Sequence, residues 1–192
     1  MPDSASHSRT SVPSDWQPAA QQAAFRQVLA AFSYPGRIVS FDTGAADALP
    51  LLLATLIDGS VSMADPHGLV AADDRRRLGA RPATPETAQF VVAEGSRAPD
   101  FAPALGSLDN PEQGATLLLA ANGLGSGYRL SLEGPGIAAP ATLAVQGIEP
   151  VWWQERAAWN AGFPLGVDLV VLAGRSAVAL PRTTRIVMEG AA

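Results

Sequence analysis

The chain reads as an α/β protein: a three-layer domain built around a mixed sheet. Three observations predict this. Helical stretches interleave with short apolar runs of strand length along most of the chain. Strand pairs with turn-like spacers gather toward the C-terminal half, which brings antiparallel pairs into the sheet. No internal repeat or composition break divides the 192 residues, so one core serves the chain. We expect a flexible tail over residues 1–17 and a single α/β domain over residues 18–192.

The first helix is expected over Pro18–Ser33. Pro18 suits its first turn, and Phe25, Val28, Leu29 and Phe32 fall on one stripe expected to be buried. Tyr34, Pro35 and Gly36 stop it as a type II turn, with glycine where φ is positive. A short strand follows over residues 38–41. Residues 48–57 form a second helix, too apolar for a surface element. Residues 61–64 read as a strand and residues 69–78 as a polar helix. Residues 89–93 read as a strand. Residues 115–121 and 128–133 are strands expected to pair as a hairpin around a glycine-rich turn. A third clear helix spans residues 150–161. The chain closes with strands over residues 167–173, 177–180 and 184–188.

Composition excludes several chemistries. Net charge is −5, which argues against a general nucleic-acid binder, since such a protein carries a dominant basic surface. There is no cysteine, hence no disulfide, thiolate nucleophile or zinc–thiolate site. There is also no lysine; all 13 basic residues are arginine. Pyridoxal phosphate held as a lysine Schiff base is therefore excluded. Residues 1–15 have no apolar run of the kind a secretory signal needs, and no stretch approaches 18 uninterrupted apolar residues. The expectation is a soluble cytoplasmic protein with no membrane contact.

Several motifs invite chemical readings that their context weakens. "NGLGSGYRL", residues 122–130, follows an apolar strand as a phosphate loop does. But the residues after it alternate as a strand, whereas a phosphate loop opens a helix. It is read as a turn. His67 and Asp65 could begin a metal site, but no third or fourth ligand stands at a suitable spacing, so His67 is read as a turn histidine and no metal is expected. No G-x-S-x-G elbow is present. The run Asp73-Asp74-Arg75-Arg76-Arg77 nearly cancels its own charge and reads as a solvated helix face or a protein contact.

The C-terminal strands hold the stronger candidates. Asp168 opens an otherwise apolar strand, and a carboxylate there needs a partner. Arg182 is the obvious one, so Asp168 is read as a structural or site-orienting carboxylate rather than a catalytic base. "LPRTTRI", residues 180–186, read as a strand, puts Arg182 and Thr184 on one face; an arginine beside a hydroxyl can clamp a phosphate or carboxylate. The helix over residues 150–161 carries Trp152, Trp153, Arg156 and Trp159. Two readings of it stand: core packing with one exposed ring, or a subunit interface.

Five blocks carry a resemblance: "FRQVLAAFSYPGRIV", "PETAQFVV", "GATLLL", "LEGPGI" and above all "FPLGVDLVVLAGRSAVALPRTTRI". Together they resemble the PhnH family, the H subunits of the bacterial carbon–phosphorus lyase system, over residues 25–187. The N-terminal tail and the "GLGSG" stretch lie outside the matched blocks. The resemblance implies a role in organophosphonate breakdown. It implies that G, H, I and L subunits together attach a phosphonate to C1 of the ribose of ATP or GTP, displacing the base. The product is ribose 1-phosphonate 5-triphosphate, and a later radical iron–sulfur subunit breaks the C–P bond. It also implies a core complex of G, H, I and J subunits, a homodimer when isolated, and a fold similar to pyridoxal-phosphate-dependent transferases without the cofactor. It supplies no catalytic residue. Two roles then compete: a non-catalytic subunit of the assembly, and an anion-binding subunit in which Arg37, Arg182, Thr183 and Thr184 hold a phosphonate or nucleoside triphosphate. A third, an independent enzyme using Asp168 or Glu133, is weakest, because neither has a paired acid or base.

Overall fold

The computed structural model of the chain describes residues 13–42, 44 and 46–189. Of the tail expected over residues 1–17, residues 1–12 lie outside these. Residues 14–16, placed in the tail by sequence, form a 3-10 turn (Ser14–Trp16) against the first two helices, with Asp15 buried. The fold therefore begins upstream of Pro18.

Four helices and ten strands follow among the described residues: α1 (Pro18–Ser33), β1 (Val39–Ser40), α2 (Leu49–Leu56), β2 (Ser62–Ala64), α3 (Ala72–Leu78), β3 (Arg81–Pro82), β4 (Phe90–Glu94), β5 (Thr116–Ala120), β6 (Gly123–Glu133), β7 (Ala141–Gln146), α4 (Val151–Trp159), β8 (Asp168–Ala173), β9 (Ser176–Leu180) and β10 (Arg185–Met188). Seven strands form one mixed sheet in the order β1-β9-β8-β5-β4-β2-β3. Its β8-β5-β4-β2-β3 portion is parallel, while β9 runs antiparallel to β8 and to β1. The other three strands, β10-β6-β7, form a separate antiparallel sheet.

The layers follow from side-chain alternation along the central strands. Val92, Leu118, Val170 and Leu172 face a core shared with Ala24, Val28 and Ala31 of α1 and with Leu51, Leu52 and Leu53 of α2. Their neighbours Val91, Ala93, Leu117, Leu119, Leu169 and Val171 face the opposite core. That second core is closed by Leu130, Leu132, Leu143 and Val145 of the small sheet and by Trp152 and Trp153 of α4. Both faces of the large sheet are covered, which is why its central strands are unbroken apolar runs. The three-layer, mixed-sheet expectation holds, but the third layer is mostly a second sheet rather than helices. Among the described residues no helix is long and apolar enough to cross a membrane.

Three expectations need correction. The strands at 115–121 and 128–133 do not pair as a hairpin. The chain changes sheets between Ala121, whose N–H donates to the Leu172 carbonyl, and Asn122, whose N–H donates to the Gln146 carbonyl. β5 joins the large sheet and β6 the small one; alternation marks a strand but not its partner. The "GLGSG" stretch is the irregular start of β6, with a bulge between Leu124 and Tyr128, and the actual hairpin partner, β7, was not predicted. Third, the polar helix expected over residues 69–78 starts only at Ala72. The residues before it are held as a loop by Asp65, which accepts the Leu69 and Val70 N–H groups and pairs with Arg75 at 2.6 Å. The turn after α1 is as predicted: the Arg37 N–H donates to the Tyr34 carbonyl at 3.0 Å and Gly36 has φ 87°.

Candidate functional site

The opening residue of β8 and the exit from β9 meet at one end of the large sheet. The β8–β9 register pairs Leu169 with Leu180, so Asp168 and the chain just past Leu180 lie side by side. Asp168 Oδ1 accepts the Arg182 backbone N–H at 2.7 Å, and Oδ2 accepts Arg182 Nη2–H at 2.8 Å. Arg182 Nη1 donates to the carbonyls of Pro111 at 2.8 Å and Pro164 at 3.3 Å. One guanidinium thus ties β8 to the loops on either side of it. The fit is tight: a Cβ on Gly114 would collide with the Gly166 carbonyl and approach Arg182 Nη1 to 3.0 Å. The predicted Asp168–Arg182 pair is therefore present, and it orients the site by joining segments.

Residues 182–184 form a turn rather than the strand expected, with the Thr184 N–H donating to the Pro181 carbonyl at 2.8 Å. Proline at 181 and a chain that must leave one sheet for another favour a turn over continued pairing. Arg182 and Thr184 therefore do not share a strand face. Thr183 is exposed. Thr184 is 2% exposed, and its Oγ1 has no partner among the described residues. Arg37 does not line this site; it is exposed after α1, with its guanidinium 5.8 Å from the Tyr34 ring centre.

Helix α4 supplies what the sequence reading missed. Arg156, 4% exposed, donates from Nη1 to the Thr184 carbonyl at 3.0 Å and from Nη2 to the carbonyls of Leu180 and Pro181 at 3.1 and 2.6 Å. It holds the turn from inside. No carboxylate hydrogen-bonds it among the described residues. Burial pushes its pKa down to about 10, partly offset by the charge of Asp168, so it remains a cation at neutral pH. Its Nε–H has no partner among the described residues. The sequence signal was a lone arginine three to four residues from Trp152, Trp153 and Trp159, on a stripe too apolar for a solvated charge.

The tryptophans are not surface rings. Trp152, Trp153 and Trp159 are 1%, 5% and 8% exposed, so of the two readings of this helix the chain shows core packing, with none of these three rings exposed. The Trp152 Nε1–H donates to the Arg97 carbonyl and the Trp153 Nε1–H to the Tyr128 hydroxyl, each at 2.6 Å. Tyr128 passes the bond on to the Ile148 carbonyl at 2.9 Å, and burial raises its pKa above the usual phenol value. Satisfied N–H groups let the Trp152 and Trp153 rings be buried without a polar penalty.

A cleft of about 630 Å³ lies between the C-terminal end of α4 and β10. Arg156, Arg182 and Arg185 line it and no acidic side chain does, although the chain is acidic overall. Its apolar wall includes Phe163, Ile186 and Val187, of which Phe163 and Val187 are largely exposed. His67 lies elsewhere: its Nδ1 accepts the Glu94 N–H at 2.8 Å, and its Nε2 lies 3.7 Å from Asp100. It is the turn histidine expected, and among the described residues no three metal-ligating side chains come together.

The fold and the cleft define a class first: an α/β domain with an arginine-lined recess in which no acid is paired with a base among the described residues. Comparison with known proteins makes it particular. The family model for "bacterial phosphonate metabolism protein (PhnH)" matches residues 14–187. A putative C-P lyase subunit protein, HtxG, of Stutzerimonas stutzeri is 51% identical over 92% of this chain and 90% of its own length. The alpha-D-ribose 1-methylphosphonate 5-triphosphate synthase subunit PhnH of Rhizobium meliloti (strain 1021) is 30% identical over 88% of this chain and 90% of its own. The chain belongs to the PhnH family of bacterial phosphonate metabolism proteins.

Proposed function

We propose that this chain is a subunit of the carbon–phosphorus lyase machinery, required with partner subunits to form ribose 1-phosphonate 5-triphosphate from ATP or GTP and a phosphonate, and inactive alone. The observation that carries this reading is the near full-length similarity to a subunit named for that synthase. The site supports it. Displacing a nucleobase needs acid–base or nucleophilic groups, and the cleft offers three arginines and two threonines with no such pair. The chain has no lysine for a pyridoxal phosphate aldimine, so we read its scaffold as a transferase-like fold working without that cofactor in the cytoplasm.

Its partners in this reading are the G, I, J and L subunits and, in isolation, a second copy of itself. The surface that favours self-association is on α1: Phe25 and Leu29 are 45% and 51% exposed, with Tyr34 and Ile38 exposed just beyond the helix. The test of function is omission. A mixture of G, H, I and L subunits with ATP and methylphosphonate should release adenine only when this chain is supplied as H, and the purified chain should release none. Adenine release by the chain alone, or undiminished release without it, would overturn the reading.

A further inference from the structure

We propose that the cleft between α4 and β10 binds an organic phosphonate or phosphate monoester bearing an apolar substituent. In this arrangement Arg185 contacts the anion at the rim, Arg156 and Thr184 form a positive floor, and Phe163 with Val187 holds the substituent. The choice of phosphonate as the anion rests on the functional reading above; the location of the site rests on geometry alone.

Charge is the first argument. Three arginines line the recess, and the carboxylate of Asp168, near it, is already bonded to Arg182. Arg156 is a buried cation whose hydrogen bonds all go to neutral carbonyls. A buried charge that no carboxylate contacts directly, and that Asp168 offsets only in part, sets up a local potential that little water screens. Arg185 has no ion-pair or hydrogen-bond partner among the described residues; Glu133, opposite it in the β6–β10 register, forms no ion pair with it.

Unmet hydrogen bonding is the second argument. Buried polar atoms normally have partners. Thr184 Oγ1 and Arg156 Nε, on adjoining residues of the same floor, have none among the described residues.

Shape is the third argument. Arg182 cannot be the main contact, since its Nε, Nη1 and Nη2 are all directed at protein acceptors. The contact therefore moves to Arg185, which a reading of the sequence around Arg182 and its hydroxyl neighbours passed over. Arg185 and Val187 project from the same face of β10. A phosphonate on the first therefore places its carbon substituent over the second and beside the exposed Phe163 ring. The pattern of a polar anchor next to an apolar wall is that of a small-molecule pocket.

The experiment is isothermal titration calorimetry of the full chain with phenylphosphonate, methylphosphonate and inorganic phosphate. Phenylphosphonate should bind tightest. Arg185→Ala should weaken both phosphonates about tenfold, the scale of one charge-assisted hydrogen bond. Phe163→Ala should remove the advantage of phenyl over methyl and leave methylphosphonate unchanged. Both residues are exposed, so circular dichroism melting curves should match the parent. No binding of either phosphonate, inorganic phosphate binding as tightly as phenylphosphonate, or binding indifferent to both substitutions would overturn the proposal. None of these outcomes alters the omission assay, so the site and the pathway role fail separately.

Discussion

Helices α1 and α4 both carry large apolar side chains, and they occupy opposite situations. In α4 three tryptophans are buried; in α1 Phe25 and Leu29 stand half in solvent. The sequence led us to expect the Phe25, Val28, Leu29 and Phe32 stripe of α1 to be buried and left α4 open between core packing and an interface. The cause in α1 is the existence of two adjacent apolar stripes. Phe25, Leu29 and Phe32 form one; Ala24, Val28 and Ala31, one residue behind, form the other. Helical periodicity cannot choose between stripes a single residue apart. The structure seats the small stripe against the sheet, which lets the helix approach closely and pushes the larger stripe to its flank. In α4 the rings sit in the layer beside the small sheet, where Arg97 and Tyr128 meet the indole N–H groups. Aromatic content thus says how much surface must be covered, while the available partners decide what covers it.

The largest effects should come from α4. Arg156→Ala removes the guanidinium donors from the Leu180, Pro181 and Thr184 carbonyls, of which Pro181 keeps the Thr184 N–H. At about 1–3 kcal/mol for each buried orphan, less the relieved cost of burying the charge, it should lose about 3–5 kcal/mol in urea denaturation. Trp152→Ala should lose a similar ~3–5 kcal/mol from the cavity alone. A loss below about 1 kcal/mol for either would mean that α4 is not the internal wedge described.

Asp168→Ala comes next. The pair is partly exposed, with side-chain exposures of 14% for Arg182 and 23% for Asp168, so we expect about 2–3 kcal/mol rather than the full cost of a deeply buried pair. Chemical denaturation of the variant measures it. Phe25→Ser and Leu29→Ser should be the mildest, within about 0.5 kcal/mol for the folding of one chain, since neither side chain is in the core.

The parts of the fold legible in sequence share a physical basis. The apolar runs of β5 and β8 could only be strands buried on both faces, and Pro18 and the Pro35-Gly36 turn fix the two ends of α1 through backbone geometry alone. The Asp168–Arg182 pair was legible because a carboxylate in an apolar strand demands a cation close in the chain. What stayed hidden depends on long-range partners. The assignment of β6 to a second sheet turns on a switch between Ala121 and Asn122, which no local periodicity encodes. Arg156 serves three carbonyls 24 to 28 residues away, and its role appears only once the β9–β10 turn is seen to rest on it.

The exposed stripe of α1 gives the most direct test. Sedimentation velocity of the parent chain and of a Phe25→Ser/Leu29→Ser double variant, at micromolar concentration and with melting curves recorded alongside, compares the two helices in one experiment. The parent should sediment as a dimer and the double variant as a monomer with an essentially unchanged melting temperature. A parent that is monomeric, or a double variant that remains dimeric, would contradict the assignment of α1 as the self-association surface.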